Sequence, residues 1–269
     1  MIEIKQYGDV SRFLMGRLFN GKPVYTMACY YLDGLLIDTG PSIVADEIED
    51  AFRDYPVMQI VNTHHHEDHT GNNIVFQDKL GLGPALAHEL ALPRIITPSI
   101  WTDRLRAYQI FAWGLPPASM AALIGSQIHT PCFNLKVINT PGHCDDHICL
   151  LEPDRGWLFS GDLFIGEKVS ALRSDENVIE MLKSLRLLLD YDFETIFCSS
   201  GKVVEKGHEA IMTKIEYWES KGEEINKLYQ QGKSTDEIRE TVFGRETALY
   251  EPSEGDFGKI NLVRSFLGL

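Results

Sequence analysis

Val57-Met58-Gln59-Ile60-Val61-Asn62 runs directly into Thr63-His64-His65-His66-Glu67-Asp68-His69, so an apolar stretch that reads as a buried strand ends in a crowd of histidines and carboxylates. Imidazole and carboxylate are the side chains that bind borderline divalent metals, and crowding them without a cation leaves lone pairs and charge uncompensated. In an extended segment side chains alternate, so His64 and His66 project to one side while His65 points away. Asp68 and His69 fall on the first turn of the helix predicted for Thr70-Gly71-Asn72-Asn73-Ile74-Val75-Phe76-Gln77-Asp78-Lys79-Leu80, and face back toward the same place. The pattern predicts a donor cluster on a strand-to-helix loop.

Before this run, Val24 to Leu32 and Leu35 to Asp38 read as a hairpin turned at Asp33-Gly34 and ending in a carboxylate, followed by a short amphipathic helix from about Ile43 to Arg53. After it, Trp101, Leu105, Tyr108 and Ala112 repeat at helical spacing until Gly114-Leu115-Pro116-Pro117, which predicts a helical hairpin with a second short helix. Its aromatics read as core packing, with a roof over the metal cluster as the alternative. Strands return at Leu135 to Ile138, His147 to Leu151 and Gly156 to Ser160. A helix from about Asn177 to Leu189 leads into Thr195-Ile196-Phe197-Cys198. A long helix then carries Ile211, Ile215, Trp218, Ile225 and Leu228 on one stripe. Ser234 and Glu237 form a capping box for another helix, and Asn261 to Leu267 predicts a closing one. One domain over residues 1–269, with a helical extension over about 232–269, is the expected organisation.

At 269 residues and 44% hydrophobic content, the chain has the make-up of a soluble globular protein. Its N-terminus lacks the basic start and apolar middle of a signal peptide, and no apolar run is long enough to span a bilayer, so a cytoplasmic location is expected. Cys29, Cys132, Cys144, Cys149 and Cys198 are odd in number and show no C-x-x-C spacing, which argues for free thiols. The net charge of -14 disfavours nucleic acid, whose attraction comes from Lys and Arg displacing counterions. The expected partner is a small-molecule substrate, with neither nucleic acid nor membrane.

Two further clusters complete the pattern: Thr140-Pro141-Gly142-His143 follows one strand, and Phe159-Ser160-Gly161-Asp162 ends the next. Together with Leu36-Ile37-Asp38-Thr39-Gly40 and the HxHxDH run at His64 to His69, this ordered set strongly resembles the metallo-β-lactamase-fold hydrolases. The Thr140 to Leu151 segment is most similar to the hydroxyacylglutathione hydrolase and β-lactamase-like protein 2 branch. The resemblance implies an α/β fold, a four-layer αββα sandwich with the metal site at the edge between two sheets. It further implies that His64, His66 and His143 bind a first ion, that Asp68 and His69 bind a second, and that Asp162 bridges. Asp38 would orient a histidine by hydrogen bonding, and His147 would line the site without binding metal.

The chemistry implied is hydrolysis of a small ester, thioester, lactone or phosphodiester. A cation lowers the pKa of bound water toward roughly 7 and polarises the scissile group, while Asp68 orients the hydroxide or shuttles its proton. Zinc, as one or two ions, is the expected cofactor, with manganese or iron the alternatives. The departure from the family lies at Cys198-Ser199-Ser200-Gly201, where Ser200 occupies the place of a final histidine and weakens the second site. Cys198 reads as a buried inert thiol rather than a substitute ligand. Loss of that histidine leaves two alternatives open: a mononuclear iron dioxygenase similar to the persulfide dioxygenases, using His64, His143 and Asp162, or a metal-binding protein with reduced catalysis. The broad-spectrum zinc β-lactamases generally place cysteine where Asp162 stands, which argues against drug hydrolysis. His65, His88, His129 and His208 read as ordinary histidines, and Arg94, Arg104 and Arg106 as a solvated face.

Overall fold

The computed structural model describes residues 1–269. A seven-stranded sheet is built in chain order from β1 (Ile2–Tyr7), β2 (Val10–Phe19), β3 (Lys22–Leu32), β4 (Leu35–Ile37), β5 (Gln59–Val61), β6 (Ala85–Ala87) and β7 (Ala121–Leu123). The chain then passes through β8 (Gln127–His129), β9 (Asn134–Asn139), β10 (Ile148–Glu152), β11 (Trp157–Gly161), β12 (Leu172–Arg173), β13 (Thr195–Cys198), β14 (Val203–Val204) and β15 (Phe257–Gly258). Six of these form a second sheet in the order β14-β13-β11-β10-β9-β8, and β12 pairs with β15 on its own. The helices are α1 (Ile48–Ala51), α2 (Glu67–Thr70), α3 (Asn73–Leu80), α4 (Leu92–Ile96), α5 (Ala107–Trp113), α6 (Val178–Leu188), α7 (Gly207–Gln230), α8 (Thr235–Phe243) and α9 (Lys259–Leu267).

Side-chain alternation assigns each strand residue to a layer. Between the sheets, Tyr30, Leu32, Leu35, Ile37 and Val61 meet Leu135, Ile148, Leu150, Phe159 and Phe197. The intervening residues Cys149, Leu151, Leu158, Ile196 and Cys198 point the other way, against α6, α7 and α9. On the far side of the first sheet, Phe13, Met27, Leu36 and Ile60 pack on Val44, Ile48, Phe52, Val75 and Phe76. The result is the αββα order expected from the sequence. It also explains why β10, β11 and β13 read as nearly continuous apolar runs, since both their faces are covered.

The expected helical hairpin is half right. Residues 92–113 supply α4, two 3₁₀ turns and α5, but no second helix follows. Pro116 and Pro117 cannot sit inside a helix, and Ala121–Leu123 instead joins the edge of the first sheet parallel to β6. The amphipathic stretch after Asp38 likewise begins as 3₁₀ (Ser42–Glu47) before four α-helical residues. The capping box at Ser234 forms as read, with its hydroxyl accepting from Glu237 N. No helix is long and apolar enough to cross a membrane.

β4 runs parallel to β5, and β11 runs parallel to β13, while β9 and β11 are both antiparallel to β10. The C-terminal ends of β4, β5, β9, β11 and β13 gather at one edge of the sandwich, where β10 begins. Backbone hydrogen bonds from Ile148 N to Thr63 O (2.9 Å) and from Ala28 N to Ser199 O (2.6 Å) tie the two sheets together there. Phe159, stacked on Phe197 at 5.1 Å between centroids and 1% exposed, lies in the inter-sheet layer just ahead of this edge. Phe159→Ala is expected to cost about 3–5 kcal/mol in urea unfolding, the usual range for emptying a buried aromatic site.

Candidate metal centre

Five strand ends deliver the polar side chains: Asp38 after β4, the histidine run after β5, His143 after β9, Asp162 after β11 and Ser199-Ser200 after β13. His64 Nε2 and His143 Nε2 lie 3.0 Å and 2.9 Å from His66 Nδ1, so three ring nitrogens converge on one point. Beside them, Asp162 places Oδ2 3.3 Å from His143 Nε2 and Oδ1 3.3 Å from His69 Nε2. Asp68 Oδ2 is 3.8 Å from that same His69 nitrogen. All six residues expected from the sequence thus fall in one cluster of side chains, in two adjoining groups.

A set of outward contacts aims these donors. Asp38 Oδ2 accepts from His69 Nδ1 at 2.8 Å and from the Thr63 hydroxyl at 2.9 Å. The Thr63 oxygen, its own proton committed to Asp38, is 3.0 Å from His64 Nδ1 and positioned to accept from it. Glu176 accepts from His143 Nδ1 in the same way. Each contact fixes a tautomer whose far nitrogen presents a lone pair to the centre. Asp162 is held through its backbone, whose N–H donates to His147 Nε2 at 3.1 Å, while His147 Nδ1 pairs with the Thr140 hydroxyl at 2.8 Å. Gly161, at φ 47°, makes this possible, since a Cβ there would fall 2.5 Å from His147 Nε2.

The electrostatics call for a cation. Burial and the neighbouring imidazoles push His64 well below the usual histidine range, and burial with the Arg173 charge does the same to His66, so both present neutral rings. Burial also pushes His147 down, to about 3. Burial opposes charge on His69, but Asp38, Asp68 and Asp162 outweigh it and hold its pKa well above the ordinary value. Burial, aided by Glu67 and Asp162, pushes Asp68 up to about 7. These raised values mark places where positive charge is wanted and protons supply it. His69 Nε2 is buried without a hydrogen-bond partner, because the Asp162 oxygen 3.3 Å away is not aligned to accept. A divalent ion fits this donor set.

The remaining candidates separate cleanly. His65 turns away to Asp146, with Nδ1 2.9 Å from its Oδ1, and packs edge-on to Trp101. Arg94, read as part of a solvated face, is instead engaged by Asp145 and Asp146. Cys198 faces the outer core, its thiol pushed up by burial and hydrogen-bonded to Lys202 O, and does not enter the donor cluster. Ser200 Oγ lies 3.2 Å from Cys198 Sγ. The aromatics of residues 101–113 do more than pack: Tyr108 and Trp113 border an apolar chamber beside Asp68 and Asp162, and Trp101 borders a polar cleft beside His66.

Residues 28–200 match the family model of the metallo-beta-lactamase superfamily. The chain belongs to that superfamily. Among curated proteins, it is 39% identical to the beta-lactamase-like protein 2 homolog of Drosophila melanogaster over 32% of this chain and 26% of that protein. It is 29% identical to the thioesterase pkgB of Emericella nidulans over 57% of this chain and 38% of that protein. The chain thus spans well under half the length of these two relatives. A beta-lactamase domain protein of Burkholderia ambifaria superposes over 99% of this chain and 88% of its own, with a TM-score of 0.76 at 18% identity, which speaks to the fold alone. The superfamily match ends at Ser200, the position where the expected histidine is missing.

Three residues that shape this superfamily site escaped the sequence reading. Glu176 and Asp146 carry no local signal, because their partners lie 33 and 81 residues away. Lys214 did carry one: it falls on the stripe of Ile211, Ile215 and Trp218, where a charged residue is out of place.

Two outcomes test the geometry. Asp38→Asn keeps the shape but removes the charge behind His64 and His69, so metal affinity measured by chelator competition is expected to fall about 10–100-fold. Protons compete with metal for His69 and Asp68, so affinity is expected to rise as pH is raised through about 7, the value to which burial brings Asp68.

Proposed function

We propose that the protein is a metal-dependent hydrolase acting on an ester or thioester, with His64, His66 and His143 holding the first ion. Asp68, His69 and Asp162 form a weaker second position. The observation behind this reading is the convergence of three imidazole nitrogens, with His64 Nε2 and His143 Nε2 at 3.0 and 2.9 Å from His66 Nδ1, beside a buried carboxylate pair and open to a chamber. Zinc suits an imidazole-rich first site, and the more oxygen-rich second position tolerates manganese or iron. When bound, the ion supplies Lewis acidity, which acidifies water and polarises the substrate carbonyl.

The protein's own residues supply the rest. Asp68, 3.8 Å from His69 Nε2 and poised near neutrality, orients the attacking water and takes its proton. Water oxygen adds to the carbonyl carbon, the carbon–sulfur or carbon–oxygen bond breaks, and the departing thiolate or alkoxide takes up the proton. Glu176 and Asp38 keep the imidazoles aimed throughout. The thioesterase name of the Emericella relative supports an acyl substrate over a phosphodiester, as does the apolar character of the chamber lining.

Protein stripped with chelator and reloaded with zinc or manganese would be assayed on p-nitrophenyl esters, acyl thioesters, lactones and bis-p-nitrophenyl phosphate. Turnover of esters or thioesters that vanishes with the metal is expected. One iron per chain with oxygen consumption would replace hydrolysis by a dioxygenase reaction, and absence of any turnover would leave a metal-binding protein. Ser200→His tests the second position separately. Its imidazole is expected to tighten binding of the second ion by about tenfold or more in a metal titration, leaving the first unchanged.

A further inference from the structure

Lys214 lies on the buried stripe of α7, with none of its surface exposed. Its Nζ donates to the Leu163 carbonyl at 3.2 Å and stands 4.3 Å from the ring centre of Trp218 and 5.5 Å from that of Phe164. An ammonium offers three donors, and neither of the other two has an acceptor in the protein. Such a group is costly to bury, and burial pushes its pKa down to about 7. A leucine or methionine would fill the same position at no such cost, so packing does not account for it.

What Lys214 faces does account for it. It lines the chamber of about 230 Å³ beside the metal centre, together with Ser199, Ser200, Trp113, Trp218 and Phe257. Of the 21 lining residues 12 are hydrophobic, so a group that enters must be largely apolar. The volume is below the roughly 300–1,000 Å³ of pockets that enclose whole drug-sized ligands, which suits one portion of a substrate. Arg173 also lines the chamber with its Nε buried and unpartnered, but Asp175 at 3.5 Å and Asp256 at 4.0 Å offset its charge. Lys214 has no carboxylate within ion-pair distance and is therefore the chamber's cation without a counter-charge.

We propose that the chamber is an acyl subsite taking an apolar, ring-sized group that bears an acidic oxygen, a carboxylate or acidic hydroxyl, received by the Lys214 ammonium. Calling the bound group an acyl portion rests on the hydrolase reading above. The anion-receiving role of Lys214 rests on the chamber.

Calorimetric titration of the zinc-loaded protein with 4-phenylbutyrate and with uncharged 4-phenyl-1-butanol tests this. The wild type is expected to prefer the acid. Lys214→Met, similar in shape and without the charge, should lose roughly 10- to 100-fold of that preference while binding the alcohol as before, the scale of a charge-assisted hydrogen bond. Its melting temperature should equal or exceed that of the wild type, because a buried charge has been removed. Lys214→Gln, which keeps a donor but no charge, gives a second reading should the methionine variant fold poorly, and should fall between the two. An acid preference unchanged in both variants would assign the carboxylate to the metal and overturn the proposal, as would failure of the wild type to bind either probe. Lys214-dependent binding without ester or thioester turnover would overturn the hydrolase reading and leave this one standing. Turnover with no Lys214-dependent preference would do the reverse.

Discussion

The carboxylate of Asp38 accepts hydrogen bonds from Thr63 N at 2.8 Å, the Thr63 hydroxyl at 2.9 Å and His69 Nδ1 at 2.8 Å. One buried anion therefore clamps the end of β4 to both ends of the histidine run. Through Thr63 it orients His64, and directly it orients His69, so the two adjoining donor groups share a single anchor. The backbone accommodates this at a cost, since Asp38 sits at φ 61°, a conformation that most residues with a Cβ avoid and that Asp tolerates better than most. The interaction explains why the run is ordered even though its own residues repel: the negative charge behind the imidazoles offsets the concentration of lone pairs in front of them.

The sandwich converts that local clamp into a centre. Parallel pairing of β4 with β5 and of β11 with β13 puts the strand ends on one edge. Residues distant in sequence can then converge only if the two sheets keep their relative position. The inter-sheet bonds at Thr63 and Ser199 hold that position at the rim itself, and just behind it Tyr30 of the first sheet packs edge-on to Phe159 and Phe197 of the second. Metal geometry depends on tenths of an ångström, so rigidity here serves the chemistry as well as the fold.

Much of this was legible in the chain because it is written locally. The histidine run follows its strand without a break, and His143 and Asp162 each close a strand whose alternation is plain. The layers follow from the same alternation, as Cys149 and Leu151 on one face and Ile148 and Leu150 on the other show. What stayed hidden is non-local. The strand at Ala121–Leu123 exists because an edge of the first sheet is there to receive it, and nothing in Ala-Ala-Leu announces that edge. Glu176 is an unremarked acidic residue until the turn ahead of α6 brings it to His143. The role of Trp101, Tyr108 and Trp113 as walls depends on two cavities that only packing creates.

The division of labour along the chain follows from where each part of the pocket originates. The six converging donors all lie within residues 28–200, the stretch shared with the superfamily. Most of the chamber wall lies there too, and four residues from beyond it close the far side: Lys214 and Trp218 come from α7, Leu249 from the segment after α8, and Phe257 from the strand that pairs with Leu172–Arg173. The closing segment is pinned by Asp256, which accepts from Tyr108 and from Ser174, and by the ion pair of Glu254 with Arg106. The donors and most of the chamber wall therefore belong to the shared stretch, whereas Lys214, the chamber's cation without a counter-charge, belongs to the helix after it. A relative with the same donors but a different tail would keep the first and lose the second.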